Sequence, residues 1–342
     1  MGSKKLKVVH VGCGGTSGAW LDAATKDKSL EVVGLVDLRR EAAEQRARDF
    51  ALSPELIYDS LDEALKSAKP DVVFDVTTPE SHCEVVTTAL AAGCHVCGEK
   101  PLSDSMASAR RMVRAAQKAG RIYAVMQNRR QLAGAVALVK MLRSGTIGPI
   151  TTVNVDYYLA PRFGGFRDQM DHPLLLDMAI HTFDQARQLT GADATSAYCI
   201  EFNPTGSWYK GAASAMCIFE MTGGIIFNYR GSWSAEGYPT SWEGSWRIVG
   251  TKGTALWSED QPTAAVVTRK VEQYREIVPP LPKLKYWGHT GIIREFLAAV
   301  RAGRTPQTVC TDNIKSLAMV FGAIKSAQTG RRVKIEPMQG LD

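Results

Sequence analysis

Long apolar runs are missing from this chain of 342 residues: none approaches the ~18 that a membrane-spanning helix needs, so no membrane partner is expected. A strong charge bias is missing too. The 41 Lys and Arg against 35 Asp and Glu leave a net charge of +6, and no dense basic stripe or recognition motif accompanies it. No nucleic-acid partner is expected, and the surplus reads as that of a mildly basic soluble protein. Met1-Gly2-Ser3-Lys4-Lys5 leads straight into a strand-like stretch, which is no signal-peptide pattern, and Leu6 stands where N-myristoylation needs Ser or Thr. The seven cysteines are odd in number and scattered, several inside apolar runs, which favours free thiols in a reducing cytoplasm. Cys94 and Cys97 form a C-x-x-C, but this spacing on a buried strand sends the side chains to opposite faces, and no metal site is expected. Internal repeats and low-complexity segments are absent.

What is there is an alternation of strand and helix patterns, in a chain long enough for two domains of about 150 residues each. Lys7–Val11 is a short apolar strand that runs into Gly12-Cys13-Gly14-Gly15-Thr16-Ser17-Gly18 and then into helical periodicity. That setting gives a G-x-G-x-x-G match its meaning. Gly12 permits the tight turn, and Gly14 lets backbone N–H groups approach a pyrophosphate at the helix N-terminus. Ser17 stands where a third glycine is usual, with Gly18 beside it; a small residue still lets helix and strand pack. The next strand, Glu31–Val36, ends on Asp37, about 20 residues beyond the glycines. A carboxylate there accepts both ribose hydroxyls and repels a 2′-phosphate. This favours NAD over NADP, although Arg39 and Arg40 follow. Further βα units carry Thr77-Thr78-Pro79, whose hydroxyls suit a ribose or phosphate, and His82, either a packing residue or a cofactor contact. A strand then ends in Cys97-Gly98-Glu99-Lys100-Pro101. Lys100, held extended before proline, puts a cation at the carboxyl end of a strand, where open α/β sheets bind ligands. Helices near 60–67, 83–92 and 105–119 and strands near 71–76 and 121–126 complete a doubly wound parallel sheet over 1–126.

From residue 127 the pattern changes. Gln127-Asn128-Arg129-Arg130 bridges into a helix over 133–142. Strands are expected at 150–159, 194–202, 214–221, 224–232, 245–250, 253–257 and 264–269. Gly223-Gly224 reads as a hairpin turn, and short connections predict a mostly antiparallel sheet in an α+β domain over 127–342. Pro279-Pro280-Leu281-Pro282 reads as a stiff connection within it, and two helices, near 289–302 and 312–329, close the chain. Between the first two strands lies a helix over 174–185. At 100° per residue, Asp177, His181 and Asp184 fall within about 60° on one face, beside an apolar stripe of Leu176, Ile180 and Phe183. A histidine flanked by carboxylates on a buried helix has its ring oriented and its basicity raised, as proton transfer at neutral pH requires.

Taken together, Gly12-Cys13-Gly14-Gly15, Asp37, Thr78-Pro79 with His82, Glu99-Lys100-Pro101 and Leu176-Asp177…His181…Asp184 resemble, in order, the Gfo/Idh/MocA oxidoreductases, named for glucose–fructose oxidoreductase and inositol dehydrogenase. Many members carry a glycine before the histidine; Ala179 takes that place here. The resemblance implies a Rossmann domain followed by a mostly antiparallel one, a bound NAD, and Lys100, Asp177 and His181 as the catalytic trio. His181 would take the hydroxyl proton, Lys100 would polarise the oxygen, and Asp177 would orient the pair or bond a neighbouring hydroxyl. Candidate cofactor residues are Gly12, Gly14, Gly15, Thr16, Ser17, Asp37, Arg39, Thr77, Thr78, Pro79, His82, Glu99, Lys100 and Asn128. Candidate substrate residues are Arg129, Arg162, Phe163, Asp184, Trp242 and His289. Arg162–Arg167 reads as a lid, and its arginines with Arg129 leave room for an anionic group on the substrate. Trp208, Tyr209, Trp233, Tyr238, Trp242 and Trp246 offer faces for sugar C–H surfaces, about half of them being core or subunit-interface residues instead.

The expected substrate is a carbohydrate or polyol with a secondary alcohol, and the expected assembly a cytoplasmic homodimer or homotetramer, as is common in the family. Two other readings use the same parts: a redox-neutral glycosidase working by transient oxidation, elimination and re-reduction, and a non-catalytic sensor of NAD or sugar.

Overall fold

The computed structural model describes residues 4–268, 273–336 and 340. Its first sheet follows from the βα alternation. The strands are β1 (Leu6–Val11), β2 (Leu30–Val36), β3 (Ile57–Tyr58), β4 (Val72–Asp75), β5 (His95–Gly98) and β6 (Tyr123–Val125). The helices between them are α1 (Ser17–Lys26), α2 (Arg40–Asp49), α3 (Leu61–Ala68), α4 (Pro79–Ala91) and α5 (Met106–Ala119). The strands lie in the order β3-β2-β1-β4-β5-β6, every pairing parallel. The order reverses between β1 and β4, the place where such sheets open a crevice for ligands. Local chemistry sets the ends. The Ser60 hydroxyl accepts the Glu63 N–H at 3.2 Å to start α3, and Gly120, at φ 60°, stops α5 in the left-handed region.

The second sheet contains β7 (Ile150–Tyr158), β8 (Ala194–Phe202), β9 (Ser214–Met221), β10 (Ile226–Ser232), β11 (Ser245–Gly250), β12 (Gly253–Trp257), β13 (Thr263–Val267), β14 (Tyr274–Ile277) and β15 (Val333–Lys334). Its order is β14-β13-β12-β11-β7-β10-β9-β8-β15, antiparallel throughout except for the parallel pair β7–β10. Gly223 and Gly224, at φ 75° and 76°, make the turn between β9 and β10. The expected strand over 264–269 is β13; Arg269 lies outside the described residues. Helices α6 (Ala133–Arg143), α7 (Phe166–Gln169) and α8 (Ile180–Thr190) belong to the same half. Phe183 of α8 drives its ring edge-on against Phe219, Phe227 and Tyr229, with centroids 4.8, 6.0 and 5.2 Å away, and so seats the helix on the inner face of the sheet.

The chain forms two compact units, and they are not two consecutive stretches. The first runs to Asn128 and takes in Tyr286–Ile314; the second holds Arg129–Lys285 and resumes at Lys315. A second domain continuous over 127–342 is therefore corrected. In α9 (Gly288–Ala302), Ile292, Ile293, Phe296 and Leu297 share one core with Val8, Trp20, Phe74 and Met126 of the first unit. Helix α10 (Cys310–Thr329) and β15 end the chain. The proline-rich stretch 279–282 stands just before the return at Tyr286, so it leads from one unit to the other.

A second correction concerns the helix over 174–185. Pro173–Ala179 winds as a π-helix, with its wider turn, and only from Ile180 does α8 follow the ordinary pitch. The one-face arrangement built on a 100° step therefore does not apply from Asp177 to His181.

Candidate active site

In the first unit the site begins at the glycine turn. Gly12 adopts φ +93°, and a Cβ there would lie 2.5 Å from the Val76 carbonyl oxygen, so no other residue fits without moving the backbone. Three side chains hold the turn from beneath. His10 Nε2–H donates to the Gly12 carbonyl at 3.0 Å, the Ser17 hydroxyl donates to the Gly14 carbonyl at 2.6 Å, and Arg46 reaches both Gly14 O and Ser17 Oγ at 2.8 Å. Burial pushes His10 down to about 4, so the ring is neutral. By contrast, nothing lies within 4 Å of where a Cβ on Gly14 or Gly15 would sit. That open cradle ahead of α1, with Thr16 at its N-cap, fits a diphosphate approaching the helix N-terminus. Asp37 accepts the backbone N–H of Cys13 at 2.7 Å and that of Arg39 at 2.8 Å, which fixes its carboxylate beside the turn. The exposed Arg39 side chain comes no nearer to it than 4.0 Å.

At the carboxyl end of β4 the polar side chains turn inward. The buried Asp75 accepts the Thr77 hydroxyl at 2.6 Å and His82 Nδ1 at 2.8 Å. Burial alone would lower His82, but the Asp75 carboxylate outweighs it and raises the imidazole above its usual value. His82 and Thr77, both expected at the cofactor, thus bond Asp75, while Thr78 remains exposed and Pro79 opens α4.

At the end of β5, Glu99 is the hub. Its Oε1 accepts the Trp20 indole N–H at 2.7 Å and faces His289 Nε2 at 3.7 Å, and its Oε2 accepts the Lys100 backbone N–H at 3.1 Å. Burial opposes ionisation of this carboxyl, yet His289, Lys100 and the indole hold it below its usual range. His289, expected at the substrate, here faces Glu99.

The second unit places His181, buried at the start of α8, two residues beyond the π-helix that carries Asp177. Arg167 Nε donates to Asp177 Oδ2 at 2.8 Å, so α7 fixes this carboxylate. Asp184, expected as a substrate contact, is instead spent on scaffold: Arg130 grips both its oxygens at 2.6 and 2.7 Å, and Ser316 adds a third bond at 2.8 Å. Arg129 stands over the Tyr157 ring, 5.4 Å from its centroid. In the loop, Arg162 lies 3.8 Å over Trp208 and pairs with Glu236, and Phe163 packs between Trp233 and Trp242. Trp233 and Trp246 are core residues, whereas Trp242 and Tyr238 are exposed. Sequence reasoning passed over Tyr157, His10, Arg46 and Trp20. The first two interrupt apolar strands with a polar ring, a signal that was available; Arg46 and Trp20 sit in ordinary helical patterns.

Residues 6–127 match the family described as GFO/IDH/MocA, "oxidoreductase family, NAD-binding Rossmann fold", and residues 136–256 match the GFO/IDH/MocA C-terminal domain. The chain belongs to the GFO/IDH/MocA family. It is 27% identical to the D-apiose dehydrogenase of Paraburkholderia graminis, over 98% of this chain and 91% of that one. It is 25% identical to the 1,5-anhydro-D-fructose reductase of Ensifer adhaerens, over 93% and 95% of the two chains. An oxidoreductase of Agrobacterium radiobacter, solved with NAD+, L-tartaric acid and magnesium, shares the fold at a TM-score of 0.88 and 21% identity, over 97% of this chain and 99% of that one. This GFO/IDH/MocA chain is thus an oxidoreductase with an NAD-binding Rossmann domain, within a family that acts on sugars and polyols. Among the described residues, no helix is long and apolar enough to cross a membrane, and no group of His, Cys, Asp and Glu is arranged to hold a metal.

Proposed function

We propose that the protein moves a hydride between a secondary alcohol of a sugar or polyol and NAD, with Lys100, Asp177 and His181 serving the alcohol. The observation that carries this is a buried histidine, His181, four residues along the chain from a buried carboxylate, Asp177, that Arg167 fixes at 2.8 Å. Bound nicotinamide supplies the hydride acceptor or donor at its ring. The chain supplies the rest. The open side of Gly14 and Gly15 receives the diphosphate, and Asp37, held by two backbone N–H groups, bonds the adenosine ribose and disfavours a 2′-phosphate. His181 takes the hydroxyl proton, the Lys100 ammonium stabilises charge growing on the oxygen, and Asp177 orients the imidazole. The hub at Glu99 holds the lysine backbone in place.

We also assign self-association to the outer face of the nine-stranded sheet, giving a homodimer or homotetramer. There Tyr198, Ile200, Met216, Ile218 and Leu256 are each more than 40% exposed, around the Arg230–Asp156 pair.

The test is a panel of sugars and polyols read by NADH absorbance, with and without aryl glycosides. NADH formation from one class of secondary alcohol is expected. Release of aglycone without NADH accumulation would replace net oxidation by redox-neutral glycoside cleavage.

A further inference from the structure

Three arginines are equally buried, at 7% exposure: Arg129, Arg130 and Arg187. Two of them have a carboxylate. Arg130 holds Asp184 through two bonds, and Arg187 holds Asp193 through Nε at 3.0 Å and Nη2 at 2.7 Å. Arg129 has none among the described residues; its guanidinium meets the face of Tyr157, and its Nη1 is buried without a hydrogen-bond partner. Burying a guanidinium without an anion costs far more than a ring face returns, so a pocket keeps one only where something else completes it.

Beside it, the Tyr157 hydroxyl is also buried and lacks a partner of good geometry. Burial pushes this phenol up to about 12, the nearby Arg129 opposing, so it stays a neutral donor at any physiological pH. Asp177 also acts on Tyr157 through space, which puts Tyr157 and Arg129 in the neighbourhood of Asp177. The carboxylate of Asp177 is itself bonded to Arg167, at 2.8 Å.

We propose that Arg129, with the Tyr157 hydroxyl, receives a carboxylate on the substrate, so that the preferred substrates are sugar acids rather than neutral sugars. The assignment rests on the sugar or polyol reading above and narrows it. One guanidinium and one phenol match the two oxygens of a monoanion.

Direct binding tests this without turnover. Tryptophan fluorescence of the full chain is titrated with matched pairs: D-glucuronate against D-glucose, D-galacturonate against D-galactose, and D-gluconate against D-glucitol, with D-glucose 6-phosphate as a further arm. In the best pair the acid should bind at least ~10-fold more tightly than its neutral partner, with added salt narrowing the gap. Arg129→Met should abolish the difference, and Arg129→Lys should keep part of it. The melting temperature of Arg129→Met without ligand should equal or exceed that of the wild type, because an uncompensated buried charge has been removed. Equal binding of acid and neutral sugar, preference for the phosphate, or loss of melting temperature in Arg129→Met would each overturn the proposal while leaving the sugar reading intact. Binding of none of these ligands by a chain that still binds NADH would sink both.

Discussion

At the scale of single residues, the site depends on polar atoms held still by other polar atoms. Asp37 spends both carboxylate oxygens on backbone N–H groups, which fixes it beside the glycine turn. Asp37→Ala should therefore weaken NAD binding by ~10-fold or more and narrow the preference over NADP, as measured by titration with each cofactor. His10 gives a pH dependence with a definite sign. Its folded value of about 4 lies below its unfolded value of 6.5, so its contribution to stability is present above pH 6.5 and is lost as pH falls to 4. Denaturant unfolding across that range should show a decline that His10→Gln flattens. His82 runs the other way. Its raised value means a contribution present below about pH 6.5 that is lost as pH climbs through the raised value. That Asp37 stands beside the glycine turn and Lys100 just past β5 was legible, because spacing from a glycine turn or a proline has a mechanical meaning. Glu99 bonding Trp20 was not, because the partners stand 79 residues apart and nothing local couples them.

At the scale of elements, the segment around Asp177 and His181 shows what periodicity can and cannot deliver. Of the apolar stripe, Ile180 and Phe183 are core residues on a helix, whereas Leu176 is only half-buried. The pitch was not legible, because Pro173–Ala179 winds as a π-helix, and hydropathy patterns do not report the turn size of a buried segment. Asp184 was assigned to substrate for the same reason: it is one helical turn from His181, and only the fold shows that Arg130 and Ser316 claim it. Breaking such a buried pair from one side leaves a charge behind, so Asp184→Ala should cost ~3–5 kcal/mol in urea unfolding. Replacing Arg130 and Asp184 together by apolar residues should cost clearly less than that.

At the scale of the whole molecule, the alternation of elements specified the architecture well: a parallel sheet in the first half and a mostly antiparallel one in the second. The helix α9 escaped it. Its apolar stripe is equally suited to either core, and sequence order alone cannot say that a chain which has left a unit will return. The exposed apolar row on β8 and β9 carries the prediction at this scale. Ile218→Lys should shift the protein to a smaller species in light scattering behind size exclusion while leaving its far-ultraviolet circular dichroism unchanged. The central proposal is that the Lys100 ammonium and the His181 imidazole serve one alcohol. The most direct measurement is the NADH-forming kcat of wild type, Lys100→Met, His181→Asn and the double variant on the best substrate of the panel. The account predicts a loss of at least ~100-fold in each single variant and a double variant well short of the product of the two. Near wild-type turnover in either single variant, with NAD still bound, would contradict it.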